Sequence, residues 1–188
     1  MPYVWLPASP VRQVDGKEFS RLCSVFKHET VGWVLPHASS EEQRQWNERI
    51  SMANVLSELA FGTDFFACLL HSRPVGLAAV DRSDQPGVHI GTLIAHPGQQ
   101  GAGSILVEHI VNCWPPGSLQ LELVTLLESR PFYQRLGFEP MARNKMRLDV
   151  TKSPRWVRSG GRWRLTAYRH LPNHAAFIEK DEDWPTSP

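Results

Sequence analysis

The stretch VHIGTLIAHPGQQGAGSILVEHIV, residues 88–111, limits the fold more than any other part of the chain. VHIGTLIA (88–95) is apolar and rich in β-branched residues, which reads as a buried strand. Pro97 stops it. Gly98, Gly101, Ala102 and Gly103 then strip side chains from the next turn, and SILVEHIVNCW (104–114) continues as a helix. A strand that passes through a bare turn into a helix belongs to an α/β layout, because the helix must pack back onto the sheet it left. The first amides of such a helix have no partner inside it, and the helix dipole adds about half a positive charge there. Small residues let an anion approach closely. The turn is either a phosphate cradle or a glycine-rich connection without a ligand. It lacks G-x-G-x-x-G, and no Lys-Ser/Thr follows, so neither the dinucleotide fingerprint nor the P-loop describes it.

The flanking sequence extends the layout. VDGKEFSRLCSVFKHE (14–29) carries a helical apolar stripe, and SSEEQRQWNERISMANVLSELA (39–60) reads as a second helix opened by Ser39 or Ser40. DFFACLLH (64–71) and VGLAAVD (75–81) read as strands joined by a turn at SRP (72–74). SLQLELVTLL (118–127) alternates and reads as a strand. RPFYQRLGF (130–138) is a short helix stopped by Gly137 and capped by Ser129, and MARNKMRLDV (141–150) is a last strand. The order is α-α-β-β-β-α-β-α-β. At 188 residues this is one domain with a full core. No apolar run approaches the ~18 residues of a membrane span, and no secretory leader is visible. Cys23, Cys68 and Cys113 are odd in number, far apart and set among apolar neighbours, which suits reduced thiols in a cytoplasmic protein; no spacing suggests zinc or another metal.

The end of the chain differs in character. Between Arg143 and Arg169 there are nine Lys/Arg and one acid, with Trp156, Trp163 and Tyr168 interleaved. RWVRSGGRWRL reads as a hairpin turning at Ser159-Gly160, a register that sets Trp156 opposite Trp163. A basic aromatic surface of this kind suits nucleic acid or another acidic partner. The alternative is a hairpin that covers a sheet edge with its arginines solvated. The boundary falls near 150: a domain over 1–150 and an extension over 151–188.

A Gly-x-Gly turn and helix, then a strand, then PFYQRLGF resembles the GNAT superfamily of acyl-CoA-dependent N-acetyltransferases over roughly residues 64–149. Within it, HIGTLIAHPGQQGAGSILVEHIV is most similar to the arylalkylamine (serotonin) N-acetyltransferase branch. His89 matches that branch's first strand histidine, Ala95-His96 its V-H pair, and Pro131, Phe132 and Tyr133 its PFY. Gly91 stands where the second histidine would be, and Gly98 leads the turn where the branch carries Arg or Gln; a rival register leads with Gln100.

The resemblance implies an α/β (α+β) GNAT fold: a central mixed, mostly antiparallel sheet, flanking helices and a C-terminal hairpin extension. It implies direct transfer of an acetyl group from acetyl-CoA to an amine, with a small amine favoured. A charged tRNA, a protein acceptor and a non-catalytic acyl-CoA sensor stand as alternatives. The pyrophosphate of coenzyme A would lie on the amides of Gln99, Gln100, Gly101, Ala102, Gly103 and Ser104, with Ser129 and Phe132 nearby. The pantetheine arm would pair with Leu93, Ile94 and Ala95. Tyr133 would protonate the leaving thiolate, and His89 or Glu122 would take the amine's proton. Monomer and homodimer both remain open.

Overall fold

The computed structural model describes residues 3–5, 10–30, 39–41, 43, 44, 47, 48, 51, 62–82, 87–96, 101–114, 120–166 and 177–179. Strand β1 (Tyr3–Trp5) pairs with β11 (Phe177–Glu179). A strand that the sequence reading missed, β2 (Val11–Val14), precedes helix α1 (Gly16–Thr30). Val14 therefore ends a strand instead of opening the helix. Asp15 makes the start, its Oδ1 accepting the Glu18 amide at 2.7 Å, the reach of an N-cap carboxylate. Helix α2 is described at Ser40, Glu41, Gln43, Arg44, Asn47, Glu48 and Ser51. The loop expected at 31–38 and the end of α2 lie outside the described residues.

The remaining strands are β3 (Asp64–Leu70), β4 (Arg73–Asp81), β5 (Val88–Ala95), β6 (Gln120–Val124), β7 (Glu139–Pro140) and β8 (Lys145–Asp149). They form a seven-stranded sheet in the order β2-β3-β4-β5-β6-β8-β7. Neighbours are antiparallel except β5 and β6, which run parallel. A parallel pair needs a crossover, and helix α3 (Ala102–Asn112) supplies it.

Each face has its own helix. Phe19, Leu22, Cys23 and Phe26 of α1 pack with Ala67, Leu77, Ala79 and Ile94. Leu106, Val107, Ile110 and Val111 of α3 pack with Phe66, Ala78, Val80, Ile90, Leu121 and Leu123. Helix and sheet come close at Gly76, where a Cβ would lie 2.8 Å from Leu106 Cδ1 and 3.4 Å from the Ala102 Cβ. Strand β5 serves both cores. Its partner changes from Thr92 at Ala79 to Ile90 at Val80, so Gly91 is an extra residue, a bulge. Val88 and Ile90 join the α3 core, whereas Ile94, beyond the bulge, joins the α1 core.

Several turns differ from the sequence reading. The β3–β4 turn is His71-Ser72, both at positive φ (48° and 68°), not Ser72–Pro74. Pro74 sits within β4 opposite Leu69, beside a bulge in β3, a position where a missing N–H is tolerated. The segment 118–127 is strand only to Val124, and a 3-10 turn occupies Leu127–Ser129. The segment 141–150 is strand only from Lys145, and a left-handed Arg143-Asn144 turn folds β7 back onto it. Cys23 and Cys68 are buried as expected, but Cys113 is exposed at the end of α3.

The C-terminal hairpin, β9 (Trp156–Ser159) and β10 (Arg162–Leu165), turns at Gly160-Gly161, with φ of 58° and 78°. Two left-handed residues make a two-residue loop that matches strand twist. The turn expected at Ser159-Gly160 is thus moved by one residue. Trp156 faces Leu165, and Trp163 faces Arg158, so the tryptophans are not a pair. Trp156 and Leu165 are buried in the α3 core, and Trp156 Nε1 donates to the Leu136 carbonyl at 2.7 Å. Helix α3 grips the other strand. Asn112 donates to the Trp163 carbonyl and accepts from its amide, both at 2.8 Å, and Glu108 accepts the Leu165 amide at 3.0 Å. The hairpin lies on a helix, and Arg164 is tucked beside Glu108 and not solvated.

Burial pushes the Glu108 carboxyl up, against the pull of the Leu165 amide and of Arg164 and Arg162. A raised folded value means the folded state holds the proton more readily, so stability falls as pH climbs through it. Glu108→Gln keeps an acceptor for Leu165 and removes the buried charge. Its melting temperature should equal or exceed that of the wild type at pH 8, and the difference should shrink at pH 5. A variant less stable than the wild type at pH 8 would mean that the ion pair outweighs the desolvation.

Candidate functional site

The sheet opens in its middle. Strands β5 and β6 are in register only at Val88–Leu121, His89–Glu122 and Ile90–Leu123. Beyond Ile90, β5 runs on to Ala95 while the chain after Val124 leaves the sheet for helix α4 (Arg130–Arg135). A wedge remains between them, with β5 as its free edge. The His96 amide donates to the Val75 carbonyl at 2.9 Å. Backbone groups of an antiparallel strand alternate in direction, so those of Leu93 and Ala95 turn toward the wedge. Ile94 belongs to the other set. It pairs with Leu77 and its side chain is in the α1 core, so of the three residues expected to meet an extended ligand, Ile94 is not brought to the edge.

Helix α3 begins at the end of this wedge. Gly101 is left-handed, with φ 97°, and no side chain caps the helix. The first backbone bond runs from the Ile105 amide to the Gly101 carbonyl. The amides of Ala102, Gly103 and Ser104 therefore have no acceptor within the helix, and its first turn carries no acid. The small residues have distinct causes. Gly101 supplies the positive φ. Gly103 makes room for α4: a Cβ there would lie 3.0 Å from Phe132 Cζ and 3.8 Å from the Ala95 Cβ. The bare turn is thus partly a packing requirement, which the sequence reading had given wholly to a ligand. Gln99 and Gln100 lie outside the described residues.

The contact between Gly103 and Phe132 brings α4 to the mouth of the wedge. Pro131 is in its first turn, and Gly137, at φ 89°, ends it. Tyr133 is buried, edge-on to Phe132 and Phe138 with ring centroids 5.0 and 5.5 Å away. Burial pushes its phenol well above the ordinary value, so it is protonated across the neutral range. Ser129 does not cap α4 with its side chain. The 3-10 turn runs straight into α4, leaving Ser129 at φ −89° and ψ −11°, without the extended backbone that a capping serine needs. Arg130 donates to Asn144 Oδ1 at 2.6 Å.

His96, read from the sequence as a loop residue, is 2% exposed, edge-on to Phe26 at 6.3 Å. Burial pushes its imidazole down to about 4, so it is neutral near pH 7.

On the face opposite α3, a row of polar residues crosses the sheet beside the wedge. Asp81 pairs with His89, His89 with Glu122, Glu122 with Arg147, and Arg147 with Glu139. Residues in register share a face and lie about 4.8 Å apart across the strands. Arg147 donates to Glu122 Oε1 from Nε at 2.8 Å and from Nη2 at 2.6 Å. The sequence reading found His89 and Glu122 separately, but not their adjacency, nor Arg147. Among the described residues, no cluster could hold a metal ion, and no helix is long and apolar enough to cross a membrane.

Comparisons with known proteins agree with this geometry. No curated protein matches the chain in sequence. Among solved structures, a GNAT family acetyltransferase from Brucella melitensis in complex with acetyl-CoA is 15% identical, with a TM-score of 0.46 over 76% of this chain and 88% of that one. The PaiA N-acetyltransferase from Thermoplasma acidophilum in complex with coenzyme A is 17% identical, with a TM-score of 0.45 over 78% of this chain and 97% of that one. The family model for the acetyltransferase (GNAT) domain matches residues 34–151, the span that holds the wedge, the uncapped helix and Tyr133. The chain belongs to the GNAT acetyltransferase family.

Proposed function

We propose that this chain moves an acetyl group from acetyl-CoA to the nitrogen of a small primary amine by direct attack. The wedge between β5 and β6, ending at the uncapped start of α3, carries the reading. It offers an extended arm two free backbone positions, at Leu93 and Ala95, and offers a pyrophosphate the amides of Ala102, Gly103 and Ser104. Gln99 and Gln100 would continue that cradle, with Phe132 and Ser129 along its side. The Leu93 amide faces the wedge and would polarise the thioester carbonyl as charge develops on its oxygen. With α3 filling one face, the amine has to approach from the other, where His89 and Glu122 lie. Tyr133 holds the proton that the departing sulfur needs.

The finer likeness to arylalkylamine acetyltransferases rests on His89, His96 and the Pro131–Tyr133 run. Val124, 59% exposed and on the face of Glu122, would suit an acceptor with an apolar body. A second reading, a macromolecular acceptor, draws on Arg155 and Arg158, which are exposed on the hairpin.

Free-thiol release from acetyl-CoA tests the proposal against 2-phenylethylamine, spermidine, a lysine-containing peptide and charged tRNA. Turnover of an amine is expected. Tight acetyl-CoA binding with no thiol release on any acceptor would favour a non-catalytic sensor.

A further inference from the structure

We infer that Arg147 is a positioning residue. It holds the Glu122 carboxylate as the fixed counter-charge of His89, so that His89, and not Glu122, takes the acceptor's proton. The inference rests on the acetyl-transfer reading above and deepens it.

Glu122 and His89 are both candidate bases from the sequence, and they are cross-strand neighbours on one face. Their surroundings separate them. Glu122 Oε1 receives two N–H groups from one guanidinium, at 2.6 and 2.8 Å. Charge-assisted bonds of this kind favour the ionised carboxylate. To accept a proton, Glu122 would have to give up that pair. Arg147 does not engage Oε2, which can accept an N–H from a neighbouring imidazolium. His89 is half-buried next to Glu122 on β6 and Asp81 on β4, with Arg147 and Glu139 beyond Glu122 in the same row. Two carboxylates therefore flank the imidazole, and the only cation in the row is bound to one of them. A base so placed gains a proton where the charge it acquires is already balanced.

The proton balance follows. The amine nitrogen attacks the acetyl carbon, the C–N bond forms and the C–S bond breaks. The surplus proton on nitrogen passes to His89, directly or through one water, and His89 later returns it to solvent. The sulfur leaves as a thiolate and takes the proton of Tyr133, which is replaced from solvent.

The test titrates the His89 Cε1–H resonance by NMR in the full chain without acceptor, assigned by its loss in His89→Gln. Glu122→Gln should lower the midpoint by roughly half to one pH unit, because a favourable charge is gone. Arg147→Met should raise it by a similar amount, because the Glu122 charge is no longer shared. Arg147→Lys should stay near the wild type. Loosening of the sheet alone would not give opposite signs. Midpoints that do not move, or that move in one direction in both variants, would overturn the charge arrangement. The kinetic arm uses the acceptor that is turned over: His89→Gln should lower kcat at least tenfold more than Glu122→Gln. The reverse order would make Glu122 the base and sink the inference. A wild type that releases no thiol would overturn the transfer reading and the base role together, while the NMR signs would still decide the role of Arg147.

Discussion

Tyr133→Phe should lower kcat by about 10²-fold or more while leaving acetyl-CoA affinity within a few fold. The magnitude is that of a lost general acid. The variant is a clean test because Phe retains the edge-on ring contacts with Phe132 and Phe138, so the α3 core keeps its filling. It also removes the only proton the residue can give. The pH dependence has a definite sign. Burial raises the phenol above its ordinary value of roughly 10, so wild-type kcat should not fall through loss of this proton at any pH below that. If Tyr133→Phe turns over as fast as the wild type, the leaving thiolate is protonated by another group, and Tyr133 is only a packing residue.

Gly101→Glu should weaken acetyl-CoA binding at least 100-fold, about 2.7 kcal/mol. Two effects add. A residue with a Cβ at φ 97° strains the backbone by roughly 1–2 kcal/mol, which distorts the turn that aims the first amides. The new carboxylate also competes at the positive end of α3 for the place of an anion. Gly101→Asn separates the two, since asparagine tolerates the left-handed region and carries no charge. It should cost only a few fold. Calorimetry with acetyl-CoA measures both, and the melting curve checks that the fold is kept. Unchanged affinity in Gly101→Glu would mean that the pyrophosphate lies elsewhere.

Much of the fold could be read from the residues, and the reason is the same in each case. Strand β5 was found with its observed bounds, and α1, α3 and β3 to within about two residues, because each is a single run with its own periodicity and a Gly or Pro stop. The losses came where structure depends on pairing between distant segments. Nothing in VRQV marks β2 as a strand until β3 lies beside it. The hairpin register turned on which two of three consecutive residues, Ser159, Gly160 and Gly161, form the loop, and that choice moved Trp163 from Trp156 to Arg158. His71, Ser72, Arg143 and Asn144 adopt positive φ without being glycine, so the turns they make carry no letter that announces them.

The candidate site divides in the same way. Tyr133 and the Gly101–Ser104 turn were legible because their motifs are local. Arg147 was not, since its partner lies 25 residues away and only the β6–β8 register brings them together. Gly103 was legible as a residue and misread as to cause, because the crowding comes from Phe132 on another helix.

The bulge at Gly91 makes β5 two half-strands joined out of phase. The apolar letters alternate without a break from Val88 to Ile94, yet those before Gly91 answer to α3 and those after it answer to α1. A strand in one layer passes a one-residue frame error along its whole length. Here the damage would be confined to one side of the joint. Deleting Gly91 would restore a regular ladder and, in doing so, set residues 92–95 on the wrong side relative to 88–90. The wedge would lose its free edge and α1 its cover at Ile94. A length change that looks trivial in the sequence would therefore act as a reversal of half a strand, and β5 should tolerate substitution at Gly91 far better than its removal.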